Sequence, residues 1–243
     1  VGITDMASTT RVITANGNAS TTSYVTKLGL GNSAAFDGTG DYVSAADNDD
    51  WTWGSSNTID FWLYPSTVSS SLEYILYSHG ADSNNHWRLS FFGTGGVNSM
   101  KIQLAWNQGG VGILSSNITS NTVTASAWNH IAVVKSGSNV KVYINGVSGL
   151  DTTASAEMNN FTGLSQIGKI TFALGVDDLN GQIDELRIIK GRALTPEEIK
   201  VAASRRPYAV YTSSVIDASA SVRWDTVNWT EGGVNTGDGE TLY

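Results

Sequence analysis

The sequence predicts an all-β fold, an antiparallel sandwich of two sheets with one short helix near residues 196–203. The chain carries 26 glycines in 243 residues and only 15% charged residues, which suits many turns and a polar, weakly charged surface. Short strand-like runs recur along the chain with turn signals between them, and only residues 196–203 show helix signals. Regular short strands joined by polar turns are typical of antiparallel sandwiches.

The clearest strand covers residues 57–65. Alternate positions divide it into two faces, Ile59, Phe61 and Leu63 on one and Asp60, Trp62 and Tyr64 on the other. Both faces are largely apolar or aromatic, so we expect this strand to lie centrally in one sheet of a two-layer structure. Further strands are predicted at residues 73–78, 87–92, 101–106, 130–135, 140–144 and 164–167.

The end of the sandwich is predicted at residues 180–203. Ile183, Leu186 and Ile188 almost alternate with charged residues, which indicates a half-buried strand. Thr195 can cap the following helix and Glu198 can complete a capping box. We expect three regions: an arm with an edge strand over 1–33, the sandwich over 34–204, and 205–243 as a β extension or the start of a further module.

Composition excludes several classes of function. The net charge is −8 and lysine and arginine do not cluster, so we expect no nucleic-acid partner. The chain has no cysteine, and no apolar run approaches the roughly 20 residues needed to span a bilayer, so we expect no membrane insertion. It lacks a signal peptide and begins at Val1, so we expect a processed product or part of a longer protein.

Five groups of residues stand out in order along the chain. They are Phe36-Asp37-Gly38 with Asp41-Tyr42-Val43, Thr58-Ile59-Asp60-Phe61-Trp62-Leu63, Trp128-Asn129-His130-Ile131-Ala132, Val142-Tyr143-Ile144-Asn145-Gly146, and Ile183-Asp184-Glu185-Leu186-Arg187-Ile188 with Ala193-Leu194-Thr195. Together these motifs resemble the laminin G-like domains of the concanavalin A-like lectin/glucanase superfamily. The resemblance covers roughly residues 34–200. It implies a jelly roll of two curved antiparallel sheets, but no single function, because such domains serve as lectins, adhesion modules, hydrolase appendages and surface structures.

Catalysis is not expected. Glycoside hydrolysis needs two carboxyl groups about 5 to 10 Å apart, and the glucanase branch of the family carries them as Glu-x-Asp-x-x-Glu on one strand. No such run occurs here. Asp184 and Glu185 are adjacent, so on a regular strand they point to opposite faces and cannot act as a pair.

A structural calcium ion is the metal that the resemblance implies, between the early Asp-Gly turn and the closing strand. The matching residues are Asp37, Gly38 and Asp184, and oxygen ligands of this kind suit calcium. Two simpler roles stay open. Asp37 can bond to its own turn, and Asp184 can pair with Arg187 or with a backbone donor.

Two places combine tryptophan with the amides that could hold a sugar. One is Trp106-Asn107-Gln108 at the end of a predicted strand, and the other is Asn85 and Trp87 at the start of another. Trp51 and Trp53 beside the acidic loop are a weaker option. The alternative for Trp106 is a core position, because it shares a face with Ile102 and Leu104.

These observations predict a non-catalytic binding or structural module of a phage virion or bacterial surface assembly, outside the cell. Its expected partners are a glycan or neighbouring subunits, which the arm and the segment after Arg205 could hold by strand addition. A free carbohydrate-binding lectin is the alternative, and a glycoside hydrolase domain is the less favoured one.

Overall fold

The computed structural model describes residues 11–23, 26–27, 32–66, 72–93, 100–154, 156–172 and 176–205, with the backbone alone at 115 and 116. The chain divides into two units, Val1–Tyr208 and Ala209–Tyr243. The second unit, and with it the predicted extension over 205–243 apart from Arg205, lies outside the described residues.

Two antiparallel sheets of seven strands and one helix make up the described fold, as predicted. Sheet 1 runs, in spatial order, β1 (Ile13–Asn16), β4 (Tyr42–Ala45), β13 (Ser165–Ile167), β6 (Glu73–Asp82), β7 (Asn85–Gly93), β8 (Met100–Gln108), β9 (Val111–Ile118). Sheet 2 runs β12 (Val147–Thr153), β11 (Asn139–Ile144), β10 (Asn129–Ser136), β5 (Ser56–Pro65), β14 (Asn180–Lys190), β3 (Ser33–Asp37), β2 (Ser20–Thr22). The helix α1 covers Pro196–Ala203, and a short 3-10 helix covers Asp49–Trp51.

The central position predicted for β5 is confirmed, since it pairs with β10 on one side and β14 on the other. The helix is confirmed with its cap: Thr195 Oγ1 accepts from the Glu198 backbone N–H, and the Glu198 carboxylate accepts from the Thr195 N–H. Sequence reasoning missed β9 and β12. Both lie at sheet edges, where one side of a strand lacks a partner strand and the apolar alternation is weak.

The main core fills the space between the sheets. Ile59, Phe61 and Leu63 of β5 face it from sheet 2, and it receives Trp87 and Leu89 of β7 from sheet 1. All five side chains are buried. A second, smaller cluster lies on the other side of sheet 2, and its members are Ala132, Val134, Tyr143, Leu194 and Ile199. Sheet 2 therefore has a covered outer half under α1, and its other half is left for the site below.

The described part of the arm forms two edge strands rather than one. β1 pairs with β4 in sheet 1, and β2 pairs with β3 in sheet 2. The arm therefore contributes one strand to each layer of its own sandwich. Strand addition from these residues to a neighbouring subunit would have to displace pairing that is already formed.

The closing strand β14 contains a bulge that its sequence pattern did not lead us to expect. Asp184 lies opposite Trp62 and Arg187 opposite Asp60, so three steps along β14 match two along β5. Glu185 takes up the extra residue with a φ of 52°. As a result Ile183, Leu186 and Ile188 pack against the main core, whereas Asp184 and Arg187 share the outer face of sheet 2.

Candidate functional site

The two tryptophans predicted to stack on a sugar lie inside the core. Trp87 and Trp106 are only 1% and 2% exposed, and they face each other across β7 and β8. Trp106 shares its inward face with Ile102 and Leu104, which was the alternative left open at this position. A buried ring has no free face to offer a pyranose, so the prediction of stacking at Trp87 and Trp106 is wrong.

The predicted amides lie at the rim of the sandwich, next to those strands. Asn85 Oδ1 accepts from the Gly109 N–H at 2.9 Å. Gln108 donates to the Glu157 carbonyl oxygen at 3.2 Å and accepts from the Asn159 N–H at 2.8 Å. Asn107 is half-buried on the outer face of sheet 1, opposite His86. Asn85 and Gln108 therefore hold loops together.

The residues predicted to bind calcium do not meet. Asp37 pairs with Asn180, and Asp184 lies four residues further along β14, about 13 Å away at strand spacing. Hydrogen bonds from the Asn18 side chain in the arm and from the Thr39 N–H in its own turn lower the pKa of Asp37, so its carboxylate already has partners. Gly38 lies in that same turn. The described residues hold no cluster of three or more histidine and carboxylate side chains suited to a metal, and calcium binding stays a prediction.

Asp184 instead accepts from two backbone donors, the N–H groups of Lys27 at 3.0 Å and Glu185 at 2.9 Å. Partial burial raises its pKa, and those two hydrogen bonds oppose the rise. The expected pairing with Arg187 is wrong, since Arg187 binds Asp60. The expected pairing with a backbone donor is present.

A different group of side chains comes together on the half of the outer face of sheet 2 that α1 does not cover. We call Tyr64, Trp128, Gln182 and Asp184 the outer patch. Tyr64 and Trp128 meet edge to face, with ring centroids 5.5 Å apart. Both rings are half-buried, so part of each stays accessible. Gln182 lies opposite Tyr64 in the strand register, beside the aromatic pair.

Gln182 carries an unused acceptor. Its Oε1 is buried and has no hydrogen-bond partner among the described residues. A buried polar atom without a partner is destabilising unless a ligand or water supplies the missing bond. The half-buried Gln182 side chain lies beside an accessible aromatic pair, so a turn of its amide towards the surface would let Oε1 accept a hydrogen bond from a bound hydroxyl group.

The arm borders this patch. Lys27 Nζ lies 4.1 Å from the ring centroid of Trp62, and the Lys27 N–H binds Asp184. Trp62 also meets His130 edge to face at 5.1 Å and is 4% exposed. Trp62 is thus a support for the patch, whereas Tyr64 and Trp128 present its accessible surface.

Further along the same face lies an ion cluster of Asp60, His130 and Arg187, one residue from each of three neighbouring strands, in which Asp60 and His130 are buried. Arg187 Nε donates to Asp60 Oδ1 at 2.9 Å, its Nη2 donates to the other oxygen, and His130 Nε2 lies 3.4 Å from Oδ2. Burial tends to raise the pKa of Asp60, but hydrogen bonds from His130 and Arg187 outweigh it and hold the pKa below its usual value. This cluster fixes the three strands that carry the patch.

Simple alternation already places Gln182 and Asp184 on one face of β14, and the missed bulge hid that Arg187 shares that face. Leu186 follows Ile183 by three positions, where regular alternation would place the next apolar residue two positions on. That single break in the alternation is the signal of an inserted residue. With it, Asp184 and Arg187 are assigned to the same face as Asp60 and Trp62.

One protein family matches this sequence. Its description is the Concanavalin A-like lectin/glucanases superfamily, and the match covers residues 37–200. The chain belongs to this superfamily. The predicted laminin G-like resemblance and jelly-roll fold are confirmed, and a search among curated proteins finds no significant match.

Solved structures share the superfamily fold with this member. Domain 4 of AbnA, an extracellular GH43 arabinanase from Geobacillus stearothermophilus in complex with arabinotriose, is 21% identical, with a TM-score of 0.59 over 80% of this chain and 88% of that one. The binding domain of Paraclostridial Mosquitocidal Protein 1 is 14% identical with a TM-score of 0.63. The ligand-binding domain of botulinum neurotoxin serotype D in complex with N-acetylneuraminic acid is 16% identical with a TM-score of 0.62.

The coverage of these structures differs. Each of the two toxin domains matches 82% of this chain, but this chain spans only about half of their length, 48% and 47%. At these identities the likeness shows the fold alone. In the part of the chain that the structure describes, no helix is long and apolar enough to cross a membrane.

Proposed function

We propose that this protein is a non-catalytic, glycan-binding module and that the outer patch is its sugar-contact surface. The observation that carries the proposal is the half-exposed Tyr64–Trp128 pair beside the unpartnered Gln182 Oε1. Sugar rings present C–H groups that pack on aromatic faces, and their hydroxyl groups donate to fixed acceptors. The patch offers both features within one sheet face.

The likeness to a sugar-bound domain supports this proposal. The arabinanase domain bound to arabinotriose matches this chain over most of both lengths. A fold does not fix a function, so the argument for this chain rests on its own residues. The likeness adds that a jelly roll of this size can hold an oligosaccharide.

The carboxylates near the patch argue against the glycoside hydrolase alternative. Asp60 is held ionised by Arg187 and His130, and it is 1% exposed. Asp184 is bound by two backbone N–H groups, and its neighbour Glu185 pairs with Arg205 at 3.2 Å. None of the three is an accessible acid paired with an accessible base across a substrate.

A panel of polysaccharides in native affinity electrophoresis tests the proposal. We expect at least one polymer to retard the protein, and Trp128→Ala to weaken that retardation about tenfold, since one stacking contact is worth about 1.4 kcal/mol. Trp51→Ala is the matched control. Trp51 is also half-buried, but its loop lies against Lys190 near the start of β5, whereas the patch lies at its end.

Two results would contradict the proposal. One is no retardation by any polymer in the panel. The other is equal binding by the Trp128→Ala and Trp51→Ala variants while both stay folded by circular dichroism. Turnover of a polysaccharide that a single Glu→Gln change abolishes would favour the hydrolase alternative instead.

We further propose that the module acts outside the cell, on a virion or bacterial surface. The net charge of −8 and a composition rich in Thr, Ser and Asn support this location. Mass spectrometry of purified particles and of cell-surface fractions from the source tests it. Recovery only as a free secreted protein would favour the free-lectin alternative, since the described arm already pairs within its own sandwich.

A further inference from the structure

We propose that the outer patch takes neutral, hydroxyl-rich glycans and discriminates against glycans that carry carboxylate or sulfate groups. This inference rests on the proposed function. It concerns the chemistry of the groups that surround the Tyr64–Trp128 pair, because those groups decide which substituents a bound sugar can bring with it.

The described cations around the patch are each engaged by a partner. Arg187 donates two hydrogen bonds to the Asp60 carboxylate. Arg205 Nη1 lies 3.2 Å from Glu185 Oε2. Lys27 lies over the Trp62 ring. Recognition of an anionic sugar usually uses an arginine that can turn both of its donors to the anion. Here the Nε and Nη2 donors of Arg187 already bind Asp60.

The patch offers a ligand neutral donors on Tyr64, Trp128 and Gln182, and its acceptors include the one charged group, the Asp184 carboxylate. Gln182 Oε1 is buried without a described partner. Asp184 receives two N–H bonds, and a carboxylate has about four acceptor positions, so part of its capacity remains. A neutral sugar supplies hydroxyl donors to such groups. A sugar carboxylate or sulfate supplies only acceptors and places a second negative charge beside Asp184.

The charge of the whole chain acts in the same direction. At a net charge of −8 the protein repels polyanions over a Debye length, and this repulsion weakens with salt. The local charge of Asp184 and a long-range negative field therefore both favour a neutral ligand. Salt separates the two contributions, because the contact with Asp184 is screened less than the long-range field.

Matched polymers test this inference in affinity electrophoresis at low salt. Each pair shares a backbone: polygalacturonate with its methyl-esterified form, and carboxymethyl cellulose with hydroxyethyl cellulose, beside neutral arabinan. We expect neutral polymers to bind at least about tenfold more tightly than acidic ones, since like charges in contact disfavour binding strongly. Asp184→Asn should reduce this preference about threefold or more.

Asp151→Asn is the matched control, because it also removes one negative charge but lies on the edge strand β12, paired with Lys141. If acidic polymers bind as tightly as neutral ones, and Trp128→Ala abolishes that binding, the neutral preference is wrong while the proposed function stands. If Asp184→Asn and Asp151→Asn change the preference equally, Asp184 does not set it. If no polymer of this set or of the panel above binds, or if Trp128→Ala leaves binding unchanged, the proposed function itself fails.

Discussion

Two pairs of aromatic side chains in this molecule each join neighbouring strands, but one pair is buried between the sheets and the other lies on an outer face. Trp87 and Trp106 face each other across β7 and β8 of sheet 1 and are buried. Tyr64 and Trp128 meet across β5 and the start of β10 in sheet 2 and are half-exposed. Successive residues of a strand point to opposite faces, so a step of one position separates a core residue from a surface one.

The comparison teaches that polar neighbours in sequence do not mark a binding tryptophan. Trp106 is followed by Asn107 and Gln108, yet it lies in the core. Trp128 directly precedes β10, whose residues are mostly buried, yet its own ring is half-exposed in the outer patch. Asparagine and glutamine next to a tryptophan indicate where a strand ends. The exposure of the tryptophan itself depends on which face of its sheet the second sheet covers.

The largest expected contrast is in stability. Trp106→Ala should lower the free energy of unfolding by about 3 to 5 kcal/mol, because it removes a fully buried ring and leaves a cavity. Trp128→Ala should lower it by about 1 kcal/mol, since that ring already contacts solvent. Urea unfolding followed by tryptophan fluorescence measures both. Equal losses would show that the two pairs do not differ as described.

A second contrast concerns what fixes the surface pair in place. Asp60→Asn removes the charge that binds Arg187 and His130, and it should lower stability by about 2 kcal/mol. The value lies below that of a fully enclosed pair because the Arg187 side chain is 43% exposed. A double-mutant cycle with Arg187→Met measures the coupling, and a coupling near zero would contradict the role given to this cluster.

Lowering the pH should reduce the stability contribution of His79 and His86 and restore that of Asp184. Burial lowers the pKa of His79, which lies opposite Trp87 and near Asp47, and the pKa of His86, which also neighbours Arg88. The unfolded chain then binds protons more readily, so their contribution is present above about pH 6.5 and is lost as pH falls through the folded pKa. Asp184 has a raised pKa, so its contribution is present at low pH and lost as pH rises through that pKa.

Urea midpoints between pH 4 and 8 check this expectation. We expect the urea concentration at the wild-type midpoint to decrease as the pH is lowered past about 6.5. In the His79→Gln variant this decrease should be smaller. Asp184→Asn should change the free energy of unfolding more favourably at neutral pH than at acid pH. A midpoint that does not change over this range would contradict the assignment for His79 and His86.

The smallest effect is expected at the covered half of sheet 2. Thr195→Ala removes the side-chain half of the capping box and should lower stability by about 1 kcal/mol. Polysaccharide binding should stay unchanged, because α1 packs on Ala132 and Val134 rather than on the outer patch. Thermal unfolding and affinity electrophoresis of the same variant check both halves. Weaker binding would mean that the two halves of the face are coupled.

The sequence by itself determined the elements whose signals are local. The alternation in residues 57–65 predicted a central strand, and Thr195, Pro196 and Glu198 predicted the start of a helix, because both patterns depend on neighbours a few positions apart. The order of the family motifs predicted the jelly roll. It was also possible to see that Ile183 and Leu186 break the alternation.

Only the tertiary structure decided which residues share a site. The bulge at Glu185 turns Arg187 towards Asp60, and the strand register separates Asp37 from Asp184. The packing of sheet 1 against sheet 2 buries Trp106 and leaves Trp128 accessible. The physical reason is that a strand pattern divides residues into two faces but does not say which face will be covered, since that depends on segments far away in the chain.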